Sequence, residues 1–165
     1  MTSTARGDFW TLFFAGWIWH MLYAVTGYNV IVGLIAPINE SVWEHLKLGY
    51  GATLVLMLQD AWRSIRNKSA SSILGRSVAI IAMNVVIVAV FYAYTSIVGR
   101  SFVIVDIALY GVASWVAVIV HDRISASKPS AMMENIGIVL LMIIAALFAW
   151  FTMNVPSLTI FAPGI

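Results

Sequence analysis

Five apolar stretches, roughly 9–25, 42–62, 78–98, 102–120 and 136–155, leave this chain few folds to adopt. Each is near the ~20 residues of helix that cross a bilayer core. A spanning segment must satisfy its own backbone hydrogen bonds, so all five are expected to be helices. Charged residues make up 10% of the chain, against about 25% in ordinary soluble domains. A greasy soluble core is therefore set aside. The first stretch is rich in Trp and shows no A-x-A cleavage pattern, so it reads as a span rather than a secretory signal. The expectation is all-α: one polytopic domain over 1–165, a bundle of about five transmembrane helices.

A sixth apolar piece, 29–36, is too short to cross and ends between Gly33 and Pro37. It reads as a re-entrant or interfacial segment before the second span. The stretch 67–77, with Ser, Asn and Gly around basic residues, reads as the most loop-like part. The chain has no cysteine, which removes disulfides and thiolate metal sites.

Loop charges orient the bundle. Arg6, Arg63, Arg66, Lys68, Arg76, Arg123 and Lys128 fall on the N-terminal side, whereas Lys47 and Arg100 fall on the other. That asymmetry predicts a cytoplasmic N-terminus and an external C-terminus in the cell (inner or plasma) membrane. The basic balance thus reads as topology, and nucleic acid is not an expected partner. Membrane lipids are, with a homo-oligomer or a larger membrane complex left open.

One polar run breaks the apolar pattern: Pro37-Ile38-Asn39-Glu40-Ser41-Val42-Trp43-Glu44-His45-Leu46-Lys47. The chain has only seven acids and three histidines, and two acids and one His fall within 40–45. Ionisable groups at membrane depth are expensive and tend to mark function. Glu40 and Glu44 share a helix face, Ser41 and His45 the adjacent one, and Lys47 can neutralise Glu44. A plain helix start, with Asn39 as N-cap and Glu40 favoured by the dipole, explains the first two residues. It leaves Glu44, His45 and Lys47 unexplained together.

Depth extends the site. His20 lies about two turns below the outer end of the first span, with Tyr23 one turn above it. Tyr92, Tyr94 and Thr95 lie in the last turns of the third span, and Asp106 one turn into the fourth. Catalytic candidates are Glu40, Glu44, His45, His20 and Asp106. Binding candidates are Tyr23, Asn39, Ser41, Trp43, Lys47 and Tyr94. Each has a bland alternative: a hydrogen-bonded core histidine for His20, and an ion pair with Arg100 or Lys47 for Asp106. Glu44, His45 and His20 could hold Zn²⁺ or another divalent ion. E-x-x-x-E-H is not a standard ligand spacing, so the residues leave the cofactor open. Asn39-Glu40-Ser41 and Asn67-Lys68-Ser69 match the glycosylation pattern, which recurs by chance. His121-Asp122-Arg123 reads as a charged span end. Most of the Trp and Tyr suit an aromatic belt.

The run from His20 to Lys47 resembles an uncharacterised bacterial and archaeal membrane family, domain of unknown function 6512. The matching residues are His20-x-x-Tyr23, Gly27-Tyr28-Asn29 and Ala36 through Lys47, with Tyr92-Ala93-Tyr94-Thr95, Gly99, Asp106 and the 151–161 tail further on. The resemblance implies a small polytopic membrane protein and supplies no activity. Taken together, the residues lead to a membrane enzyme acting on a lipidic or amphipathic substrate by acid/base or metal-assisted chemistry. A small-solute or ion/proton-coupled transporter and an accessory structural subunit are the alternatives.

Overall fold

The computed structural model describes residues 3–67 and 71–162. Lys68 and Ser69, and with them part of the second glycosylation pattern, lie outside the described residues. The described residues form six α-helices and one 3₁₀ turn, with no strand. The helices are α1 (Ser3–Val25), α2 (Val30–Gly33), α3 (Val42–Asn67), α4 (Ile73–Val98), α5 (Val103–Ala126) and α6 (Ala131–Met153). The turn is Thr159–Phe161. The fold is thus all-α, and each expected span lies in one long helix, apart from 102, 154 and 155 at the ends of the last two. α4, α5 and α6 are long and apolar enough to cross a membrane. α1 and α3 are as long but interrupted by charge, with Arg6 and Asp8 in one and Glu44, Lys47, Asp60, Arg63 and Arg66 in the other.

Local chemistry sets the ends. The Ser72 hydroxyl accepts the Gly75 N–H at 2.9 Å and opens α4. The expected loop 67–77 is therefore shorter than its composition suggests, since 73–77 is already helical. α4 closes on Gly99, whose φ of +82° lies in the left-handed region that glycine enters without strain. The short segment expected at 29–36 is a single turn, α2, with the Asn29 carboxamide accepting from Ile31 and Val32.

α4 is central and touches α3, α5 and α6, while α1 lies against α3 and α5. Leu12, Leu56, Ile80, Met83, Ala113 and Val118 form the shared core. Two close approaches fix the packing. A Cβ on Gly137 would strike the Leu74 backbone, and one on Gly51 would overlap the Trp19 indole. The second contact sets the height of the C-terminal half of α1 against α3.

Candidate functional site

Trp19 rests on Gly51 and donates its indole N–H to the Ile35 carbonyl at 2.8 Å. Its chain neighbour His20 is thereby held over the start of α3. The His20 Nε2 lies 3.3 Å from the Nε2 of His45. The Glu40 carboxylate completes the group, at 3.6 Å from His20 and 3.4 Å from His45. Three donor atoms from α1, the loop before α3 and α3 itself thus converge on one point.

The tautomer of His45 follows from its other nitrogen. Nδ1 lies 2.9 Å from the Ser41 carbonyl, which can only accept. Nδ1 therefore carries a proton, and in the neutral imidazole Nε2 turns its lone pair toward Glu40 and His20. Outer hydrogen bonds of this kind orient metal-binding imidazoles. Lone pairs facing a carboxylate repel unless a proton or a cation lies between them. A tetrahedral ion bonded at ~2.0–2.2 Å spaces its ligands by roughly 3.3–3.6 Å, the spacing found for these three atoms. The set also leaves one position open. Side-chain exposure is 36% for His20, 33% for His45 and 68% for Glu40, so solvent and solutes reach that position.

The carboxylate that joins the imidazoles is Glu40, not Glu44. Glu44 lies one position before His45 on the helix and turns to the buried side. There its Oε2 accepts from Lys47 Nζ at 2.6 Å and from the Ile38 N–H at 2.9 Å. Lys47 also donates to Thr152 Oγ1 at 2.6 Å and to the carbonyls of Gly33, at 2.9 Å, and Ala36, at 3.4 Å. The Thr152 hydroxyl, with one hydrogen to donate, lies 2.8 Å from the Phe148 carbonyl and 3.2 Å from Glu44 Oε1. The pair is closed on itself and pins 33–38, the loop that leads to Glu40. Thr152 was not foreseen, because nothing in the sequence sets it apart from other span-end threonines.

The remaining candidates divide. Ser41, rather than Asn39, caps α3: its hydroxyl accepts the Glu44 N–H at 3.3 Å, while the Asn39 carboxamide accepts the Ser41 N–H at 2.9 Å. Trp43 is packed among Phe148, Phe151 and Phe161. Tyr23 stacks edge-on with Tyr28. Asp106 accepts from the Tyr94 hydroxyl, and among the described residues no hydrogen bond or ion pair joins it to His20, Glu40 or His45. Neither does it pair with Lys47 or Arg100, whose guanidinium covers the Phe102 ring. Shared depth placed Asp106 and Tyr94 in one group with His20 and His45; the structure brings His20 to His45 and leaves Asp106 with Tyr94 outside that group.

A second polar assembly lies at the other end. Arg76 Nη2 is 2.6 Å from Asp8 and 2.8 Å from Asp60, and Arg63 Nη1 is 2.8 Å from Asp8. Ser71 donates to Asp60 at 2.8 Å, and its oxygen lies 2.9 Å from His121 Nε2. α1, α3, α4 and α5 are joined there. The available signal was depth, since Asp8, Asp60, Arg76 and His121 fall at one level.

A family model described as "Family of unknown function (DUF6512)" matches residues 8–165, so the chain belongs to that family. No curated protein and no solved structure matches it.

Proposed function

We propose that this member of the DUF6512 family is a five-span membrane enzyme with a divalent metal centre at His20, Glu40 and His45. It acts on a lipidic or amphipathic substrate from the outer side of the membrane. The observation that carries the reading is the 3.3–3.6 Å triangle of two imidazole nitrogens and one carboxylate oxygen. Two imidazoles, one carboxylate and an open position are the donor set of catalytic rather than structural zinc. Bound there, the ion would supply Lewis acidity for polarising a substrate oxygen. His45 is held in one tautomer by Ser41, Glu40 brings negative charge, and His20 closes the set from a second helix. Exposed Val30 and Ile31 on α2, with Met21 and Val25 on α1, offer an apolar approach to the site from the membrane plane. A carrier would use the same polar residues as a binding site, but Glu44 among them is neutralised by Lys47 in a closed set of bonds.

In this reading α1 and α3 cross the membrane with α4, α5 and α6. The Lys/Arg asymmetry puts the N-terminus in the cytoplasm and the C-terminus outside. The chain has no native cysteine, so single cysteines at Thr4 and Ser157 can be labelled without background. An impermeant maleimide should reach the Ser157 variant in intact cells and the Thr4 variant only after lysis. Labelling of both in intact cells would sink the topology.

The metal reading is tested on purified protein stripped with chelator and titrated with Zn²⁺. One ion per chain is expected, with His20→Ala and His45→Ala each abolishing it. Zinc-loaded protein incubated with total membrane lipid should convert one lipid class, seen by mass spectrometry, and the two variants should not. Zinc uptake unaffected by both substitutions would refute the centre. Uptake with no conversion would refute the enzyme.

A further inference from the structure

About 22 Å along α3 from His45 (at 1.5 Å per residue), a groove of about 320 Å³ opens beside Ser71, Asp60 and Arg76, with Met57, Ala61 and Ile73 forming its apolar side. We propose that Ser71 is the nucleophile of a second, serine-ester hydrolase site in this groove, with His121 as its base. The site is independent of the metal centre.

Three relationships carry the proposal. Ser71 Oγ lies 2.9 Å from His121 Nε2, within reach for proton transfer. His121 Nδ1 lies 3.3 Å from Asp122 Oδ1. A carboxylate only accepts, so Nδ1 carries a proton, and in the neutral imidazole the Nε2 lone pair faces both Ser71 and Ser125, whose Oγ lies 3.1 Å away. This is the nucleophile, base and orienting group of covalent acyl transfer. The Ser71 hydroxyl donates to Asp60 Oδ2 at 2.8 Å, so its hydrogen must turn from Asp60 to His121 for attack; that Oδ2 is also held by Arg76 Nε and Nη2, each at 2.8 Å. Arg76 offsets the Asp60 charge, and an imidazole is by its ordinary chemistry a stronger base than a carboxylate.

The apolar side selects the substrate class: an ester with an alkyl or acyl chain lying against Met57, Ala61 and Ile73. Ser71 Oγ bonds to the acyl carbon as its proton passes to His121 Nε2. The ester C–O bond breaks, and that proton goes to the leaving alkoxide. Water then attacks the acyl-serine, gives a proton to His121, and releases the carboxylic acid as Ser71 regains its hydrogen.

The probe is an alkyl fluorophosphonate, which forms an Oγ–P bond with loss of fluoride. Wild-type protein in detergent should label at one site, mapped to Ser71 by peptide mass. Ser71→Ala should abolish labelling, and His121→Gln should slow it by about 100-fold or more. Ser127→Ala, which removes an exposed hydroxyl that donates to the Ile124 carbonyl, should label like wild type. Chelator should leave labelling unchanged. If His121→Gln does not fold, the Ser71→Ala comparison and the mapped site decide alone. No labelling of folded wild type, or equal labelling of Ser71→Ala, would overturn the proposal and leave Ser71 as a structural bridge between Asp60 and His121.

Discussion

Lys47 Nζ lies 2.6 Å from Glu44 Oε2, with the lysine side chain fully buried and the glutamate 4% exposed. Such a pair stabilises little in itself, but removing one partner strands the other, at roughly 3–5 kcal/mol. Glu44→Gln and Lys47→Met should each lower the melting temperature in detergent markedly. Replacing both by Met removes the stranded charge and should recover part of the loss. Recovery stays partial because Ile38 N–H and the carbonyls of Gly33 and Ala36 lose their partners. Wild-type melting in both single variants would show that the pair does not hold the loop.

Zinc affinity should fall as the medium is acidified, because protons compete for the imidazole lone pairs and the carboxylate. The sign is fixed by the donors: each must be unprotonated to bind, so affinity rises with pH until all are free. Glu40→Gln keeps both imidazoles and should weaken binding by about 10–100-fold, less than either histidine substitution. Titration calorimetry at several pH values reads both effects. An affinity flat across the acid range would exclude this donor set.

Burial ranks the basic residues at the other end. Arg76 is 3% exposed and holds Asp8 and Asp60, whereas Arg63 is 32% exposed. Arg76→Met should cost roughly 3–5 kcal/mol. Arg63→Met, its pair screened by solvent, should cost about 1 kcal/mol. Melting curves that rank the two variants the other way would show that the assembly is not organised around Arg76.

The long helices were legible because runs near ~20 apolar residues leave little alternative. Their ends were not, since Ser72 opens α4 by a side-chain hydrogen bond that hydropathy does not register. Nor can composition tell a solvated arginine from a neutralised one. Arg63 and Arg76 counted as loop charges, yet both are tied to Asp8 and Asp60. At the start of α3, shared depth brought His20 to His45. Which glutamate joined them was not readable, because it depends on where the helix begins. Ser41 caps α3, so Glu40 lies outside the helix and is free to swing toward the imidazoles, while Glu44 is carried round to the buried face.

The contact between Trp19 and Gly51 gives the most direct test of how His20 is placed. A methyl group on Gly51 would occupy the space of the indole ring. The ring would have to withdraw, breaking its 2.8 Å bond to the Ile35 carbonyl and shifting His20 away from His45. Gly51→Ala should therefore reduce zinc affinity by about 10-fold or more, since interiors this dense do not absorb an added methyl without moving. Gly7→Ala meets nothing within 4 Å and lies in the same helix as His20. It should leave affinity unchanged and stabilise α1 by up to ~1 kcal/mol. Trp19→Leu in the Gly51→Ala background relieves the overlap and should recover part of the affinity. If Gly51→Ala binds zinc as wild type does, the wedge does not position His20. If the double variant recovers nothing, the loss comes from the missing indole bond rather than from the overlap.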